Sequence, residues 1–368
     1  MRYLAEVFDK KRIKLLIAAG ASLLLALIVT LVCVKITGKQ SAQEAAARWS
    51  NDESFSQVSV FLSELSGFDE KMAKNADFSI ISSLSMDSLY EASEEKRSFV
   101  SAYCAKGQVR LESSLSNGSF AAYGVSGDFF LFHPFDLISG SFFDSNYVMD
   151  DLIIIDKEVA WNLFGSTDVV GQVVNVGSRP HVVCGVINRN RGKINDLAGN
   201  SVPTVYLSYN SLMKFGTGTY ISTYEALLPN PVSGYALETV KKGVAVSEDS
   251  FEIVENTGRF HWTKLLKNVK NFGTRGMNAK AVVYPFWENV ARGTEDYLTP
   301  ITVLAFLLFL FPCGILLYIL GRMWKRRPIH FSDIKGFFEK KRDEYYIKKQ
   351  NKRKKESEAQ EEENEKRS

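Results

Sequence analysis

Leu152-Ile153-Ile154-Ile155-Asp156-Lys157-Glu158-Val159-Ala160-Trp161-Asn162-Leu163-Phe164-Gly165 changes its period in the middle. Four apolar residues, three of them β-branched, form a short strand. From Lys157 to Phe164 the apolar positions Val159, Ala160, Leu163 and Phe164 fall on one face of a helix, and Gly165 supplies its C-terminal cap. Downstream, Val173-Val174-Asn175-Val176, the turn Gly177-Ser178-Arg179-Pro180 and His181 to Ile187 read as a hairpin, and Pro203 to Leu207 as a further strand.

Outward from this segment the same alphabet recurs. Gln57 to Leu62 alternates in part, as a half-buried strand does, and Phe68, Met72, Ala76, Ile80 and Leu84 repeat every fourth residue along a helix. Strands follow at 97–105, 108–115 and 119–126, with Gly107 and Asn117-Gly118 expected as turns. The opening pattern returns as strand 219–228, helix 232–242 and strand 250–255. Two strand–helix–strand units bracketing a mostly-β insertion predict an α+β domain.

That domain is flanked by two uncharged runs, Leu15 to Val34 and Leu298 to Gly321. At about 1.5 Å per residue each reaches across a hydrocarbon core of roughly 30 Å. Lys10, Lys11, Arg12 and Lys14 precede the first run, and Arg322, Lys325, Arg326 and Arg327 follow the second. The positive-inside rule then places both ends in the cytoplasm and the middle outside the cell membrane. The predicted organisation is a cytoplasmic N-terminus (1–14), a transmembrane helix (15–36), an extracytoplasmic domain (37–297, with 127–215 inserted), a second transmembrane helix (298–321) and a basic, then acidic, cytoplasmic tail (322–368). Thr299-Pro300 is the expected start of the second helix. Tyr284, Phe286 and Trp287 are expected at the headgroup level as an aromatic belt.

The chemistry that would make an enzyme is not in the sequence. There is no phosphate-binding Gly-x-x-x-x-Gly-Lys-Ser/Thr and no Gly-x-Ser-x-Gly elbow, and His133, His181, His261 and His330 lie far apart. No catalytic residue, cofactor or metal is expected. Cys104 and Cys184 read as small buried core residues, and whether they pair is left open. Glu288, Glu295 and Asp296 read as a solvated turn before the second span, in preference to a cation site. Nucleic acid is not an expected partner; the lipid bilayer is. In the tail, Ile334, Phe337, Phe338 and Tyr345 lie among Lys335, Lys340, Lys341 and Arg342, a pattern that either lies on anionic lipid, docks on a partner, or is solvated.

Six blocks, in order, carry a resemblance: Gly127-Asp128-Phe129-Phe130, Phe135 to Phe143, Ile153-Ile154-Ile155-Asp156, Ala160 to Gly165, Val169 to Val174 and Val182 to Ile187. The chain resembles the extracytoplasmic core domain of MacB-type ABC transporter permeases, the class that includes lipoprotein-releasing and FtsX-like permeases. Gln57 to Phe61 and Tyr284 to Arg292 extend the likeness toward a short-tailed subgroup. The resemblance implies a porter part of strand–helix–strand units with a smaller inserted part. It departs after the outer domain, where such permeases continue with three spans and this sequence has one and a charged tail.

The expectation is therefore a non-catalytic membrane subunit working with an ABC ATPase and a multi-span permease, its outer domain meeting a peptide or an envelope protein. A stand-alone membrane-anchored binding or sensor protein is the alternative. Trp287, Glu288 and Arg292 at the membrane junction, and Phe337, Phe338 and Arg342 in the tail, are the expected partner contacts.

Overall fold

The computed structural model describes residues 10–50, 54–91, 97–144, 150–272, 278–279, 281–326, 342 and 347. In chain order these form α1 (Lys10–Thr37), α2 (Ala45–Trp49), β1 (Phe55–Leu62), α3 (Glu70–Met86), β2 (Val100–Glu112), β3 (Asn117–Gly127) and α4 (Phe129–Phe132). Next come β4 (Asp136–Gly140), β5 (Leu152–Asp156), α5 (Lys157–Phe164), β6 (Val173–Val176), β7 (Arg179–Asn188), β8 (Thr204–Ser208) and α6 (Tyr209–Phe215). The series ends with β9 (Thr217–Pro229), α7 (Tyr235–Gly243), β10 (Phe251–Glu255), α8 (Trp262–Asn268), β11 (Asn278–Ala279), β12 (Val282–Val283) and α9 (Phe286–Arg326). They fall into two compact units, residues 28–305 and residues 1–27 with 306–368.

The larger unit is α+β. Its strands join in the order β10-β1-β9-β2-β3-β8-β5-β7-β4, with β3–β8 and β5–β7 parallel and the other pairings antiparallel. Strand β6 pairs with β7 and also with the far end of β2, where Leu111 faces Val176. The pairings β2-β3-β8-β5-β7-β6 therefore close on themselves, and closure removes the free edges that an open sheet would expose. The two strand–helix–strand units occupy the other half of the sheet.

Alternation explains why both faces of that half are covered. Val58, Val60 and Leu62 point with Tyr224, Ala226 and Leu228 into a core shared with Ala76, Ile80 and Leu84 of α3 and Ala236 and Val240 of α7. Asp69 caps α3, accepting a bond from the Met72 amide at 2.8 Å. The opposite face of the same strands carries Gln57 and Ser59 on β1 and Thr223 and Glu225 on β9, all buried.

The turns of the sheet depart from expectation at three places. Gly107 makes no turn: it sits inside the thirteen-residue β2 where the register against β9 shifts. A Cβ there would come within 2.8 Å of Thr219, so glycine serves a bulge and a close approach. The β2–β3 turn falls at residues 113–116, tied by the Ser113 amide to the Ser116 carbonyl at 2.8 Å, and Asn117-Gly118 opens β3. The turn between β6 and β7 is Gly177-Ser178 alone, since Val176 already pairs with Arg179.

Gly140 ends β4 at φ 80°, and a Cβ there would lie 2.1 Å from the Cys184 carbonyl oxygen. Replacing it with alanine adds strain of about 1–3 kcal/mol before any overlap is relieved. Gly140→Ala should therefore lower the melting temperature by several degrees, whereas Gly165→Ala, with open space at its cap, should cost less.

Among the described residues, two helices are long and apolar enough to cross a membrane, Ile13–Thr37 and Phe286–Gly321. Ala19, Ser22 and Ala26 lie on one face of α1, the two alanines buried, and the Ser22 hydroxyl donates to the Leu308 carbonyl at 2.7 Å. Small residues and a side-chain hydrogen bond are what bring helices together in lipid, where apolar burial gives no drive. The second helix does not begin at Thr299-Pro300. It runs unbroken from Phe286, following Pro285, and the Thr299 hydroxyl donates back to the Glu295 carbonyl at 2.7 Å. Pro300 removes one backbone bond from the helix, and the packing of the turns before it against the sheet outweighs that loss.

Candidate functional site: a buried polar junction

The polar face of the β10-β1-β9 half is where the chain segments nearest both membrane helices come down. After α1, the Gln57 side chain accepts from the Ala45 amide at 3.0 Å and donates to the Ala42 carbonyl at 2.7 Å. Gln43 donates to the Trp287 carbonyl at 3.3 Å, joining the segment after α1 to the first turn of α9. Arg48 adds a bond to the Leu131 carbonyl at 2.6 Å.

On α9, Glu288, Arg292 and Glu295 are four and three residues apart and so share a helical face. That face meets Arg259, which follows β10 and is 4% exposed. Its guanidinium bonds Glu288 at 2.7 and 3.1 Å, Glu295 at 2.9 and 3.3 Å and the Asn256 side-chain carbonyl at 3.0 Å. These five bonds use every donor that an arginine has. Arg292 donates to Glu288 at 2.7 Å, with its guanidinium 3.8 Å from the Tyr284 ring centroid. Two carboxylates and two guanidiniums thus balance within the cluster. Burial pulls the Arg259 pKa down, but the two carboxylates and their hydrogen bonds together raise it above its ordinary value, so the charge is fixed.

The network continues across the sheet. Asn256 donates to the Ser59 hydroxyl at 2.7 Å, and Ser59 donates to Glu225, its cross-strand partner, at 2.5 Å. The other Glu225 oxygen meets His133, just after α4, and the His133 ring lies 4.4 Å from Trp287. A buried path of side chains thus leaves α9 at Glu288 and returns to it at Trp287. From Glu288 to His133 the members are joined by hydrogen bonds, which favours rigidity, and the path closes on Trp287 by ring packing alone.

Several expected surface residues are therefore interior ones. Trp287 is 5% exposed and Tyr284 is 3% exposed. Trp287 packs on Tyr123, Phe129 and Phe286 as part of an apolar core, and Tyr284 lies edge-on to Phe61 at 5.5 Å. They are not a belt at the headgroups: the helix starts twelve residues earlier than Leu298, which lifts them into the domain. Glu288 and Glu295 are not a solvated turn, because Arg259 takes the place that a bound cation would have. Arg292 is half-buried, and Arg342 is helical and exposed. Phe337 and Phe338 lie outside the described residues.

Arg259 had no place in the sequence reading. The available signal was the Glu288–Arg292–Glu295 spacing, which becomes a helix face only once the helix is extended back to Pro285. Cys104 and Cys184 are free thiols, pushed up to about 12 and about 11 by burial; Cys104 is a core residue as expected, while Cys184 is half-buried against that core. Among the described residues no cluster of three or more His, Cys, Asp or Glu side chains could hold a metal ion.

The fold and junction define a class: a membrane protein with an extracytoplasmic α+β domain to which the first turns of α9 are tied by buried polar contacts. The chain belongs to the MacB-like periplasmic core domain family, whose model matches residues 26–253, well over half of its length. It is 33% identical over 111 residues to the macrolide export ATP-binding/permease protein MacB 2 of Aeromonas hydrophila, covering 30% of this chain and 16% of that protein. It is 30% identical over 137 residues to the macrolide export ATP-binding/permease protein MacB of Psychrobacter arcticus, covering 35% of this chain and 20% of that protein. The matches thus span about a fifth or less of those curated relatives. Among solved structures it is similar to the periplasmic region of MacB from Actinobacillus actinomycetemcomitans, with 17% identity, 60% of this chain, 94% of that one and a TM-score of 0.39. It is also similar to the extracellular domain of the noncanonic ABC-type transporter YknZ from Gram-positive bacteria, with 16% identity, 54% of this chain, 99% of that one and a TM-score of 0.37.

Proposed function

We propose that this chain is a non-catalytic membrane subunit of an ABC transporter-type complex, and that its junction passes movement between membrane helix and outer domain. The observation that carries the reading is the Arg259 cluster. A guanidinium with five bonds, among them Glu288 at 2.7 Å, Glu295 at 2.9 Å and Asn256 at 3.0 Å, holds the first turns of α9 to the sheet. A tilt or shift of α9 in the membrane then moves the domain instead of bending a flexible stalk. Family membership supports the transporter setting. In this reading both termini are cytoplasmic, residues 37–297 form the outer domain with 127–215 as its inserted part, and an ATPase and a multi-span permease are the membrane partners. Phe337, Phe338 and Arg342 are the proposed contacts in the tail. Trp287, Glu288 and Arg292 act on partners through the coupling. A peptide or envelope protein is the outer ligand.

A mild-detergent pull-down of the tagged chain, read by mass spectrometry, tests this. The expected result is an ABC ATPase together with a multi-span permease, both lost when the chain is cut after Arg322. Recovery of the chain alone, under conditions that hold a known transporter together, overturns the reading in favour of a stand-alone binding protein.

A further inference from the structure

The turn that carries Arg259 leads within three residues into α8, and this helix has an unusual surface. Trp262, Leu265, Val269 and Phe272 follow at spacings of three and four residues, the last two continuing α8 through a 3-10 turn at Val269–Asn271. Leu265 is buried and anchors the helix, while Trp262 and Phe272 are more than half exposed and Val269 nearly so. Lys264, Lys267 and Lys270 interleave with them, Lys267 and Lys270 exposed. Apolar and aromatic residues beside lysines are the composition of a segment that lies in a membrane interface.

Its height above the membrane is fixed by the junction. Arg259 bonds Glu295 at 2.9 Å, and Glu295 is three residues, about 4.5 Å of helix rise, before the uncharged run that opens at Leu298. The start of α8 is thus held beside the last turn of α9 outside the hydrocarbon. A cavity of about 260 Å³ is lined by Lys264, Lys267 and Asn268 of α8, by Arg292 and Glu295 of α9, and by Arg259. Its walls present Arg259, Lys264, Lys267 and Arg292 against Glu255 and Glu295. Lys264 already pairs with Glu255 at 3.5 Å, and Arg259 spends its donors on Glu288, Glu295 and Asn256. Even with Glu288, buried behind Arg259, the balance stays positive.

We propose that α8 is an interfacial helix on the outer face of the membrane, and that the cavity beside it takes the phosphate headgroup of an anionic phospholipid. Trp262, Val269 and Phe272 enter the headgroup layer, and the lysines and Arg292 hold the phosphodiester. The coupled junction would then move against a lipid-anchored fulcrum.

The full chain reconstituted in nanodiscs tests this with two readouts. The emission of Trp262, taken as the difference between wild type and Trp262→Phe, should be quenched by phosphatidylglycerol brominated on its acyl chains. In native mass spectrometry, Lys267→Glu with Lys270→Glu should lower retention of phosphatidylglycerol by about tenfold or more and leave phosphatidylcholine unchanged. Both lysines are exposed, so this variant keeps its fold. Unquenched Trp262 emission overturns the proposal and marks α8 as a surface for protein or water. Equal retention of the two lipids, or competition by inorganic phosphate alone, overturns the headgroup assignment. None of these outcomes depends on whether an ATPase co-purifies.

Discussion

Arg259→Met should unfold the outer domain at markedly lower temperature or denaturant than wild type, a loss of about 3–5 kcal/mol. The substitution keeps the bulk of the side chain but leaves Glu288 and Glu295, 1% and 5% exposed, as buried carboxylates without their main counter-charge. Arg292 bonds one Glu288 oxygen, which softens the loss at that residue. The control is a triple variant, Arg259→Met with Glu288→Met and Glu295→Leu. Replacing a whole buried ion cluster by apolar groups is close to neutral or stabilising, so stability should return. On the proposed coupling reading, the directional bonds do not return with it, and transport by the proposed complex should stay low. Arg259→Lys should fall between, because an ammonium cannot reproduce the two-sided fork. Equilibrium unfolding in detergent, followed by tryptophan emission, checks all three. A wild-type midpoint for Arg259→Met would show that the cluster does not hold α9 to the domain.

Trp287→Ala should be the second large effect, about 3–5 kcal/mol for a fully packed aromatic. Trp287 has Tyr123 at 5.3 Å, Phe129 at 6.0 Å and His133 at 4.4 Å around it, so its loss opens a cavity where the sheet, α4 and α9 meet. Trp287→Phe retains part of the ring packing and should cost much less. The pair also separates two positions for this residue. A tryptophan at the lipid headgroups would tolerate alanine with little change in the domain's unfolding midpoint. One in the core would not.

The local segments were legible because their signals are local. Val159, Ala160 and Leu163 on α5, the Gly165 cap at φ 67°, and the buried Ile80 and Leu84 of α3 follow from periodicity and capping alone. The return of a strand–helix–strand unit near residue 220 was visible for the same reason. Gly107 was misread because glycine has two physical uses, a turn and a close approach, and only the neighbouring strand, which brings Thr219 to that spot, distinguishes them.

The two apolar runs, the α+β alternation between them and the six-block pattern of the family are all readable along the chain, since each depends on residues near one another in it. Where the second helix begins, that Trp287 and Glu288 face inward, and that Arg259 joins Glu288, Glu295 and Asn256 emerge from the folded contacts alone. The register of β1 between β9 and β10 sets Ser59 opposite Glu225 and brings Asn256 beside both. A buried charge is tolerable only where folding brings its partner, and no spacing rule connects residue 259 to residues 288 and 295.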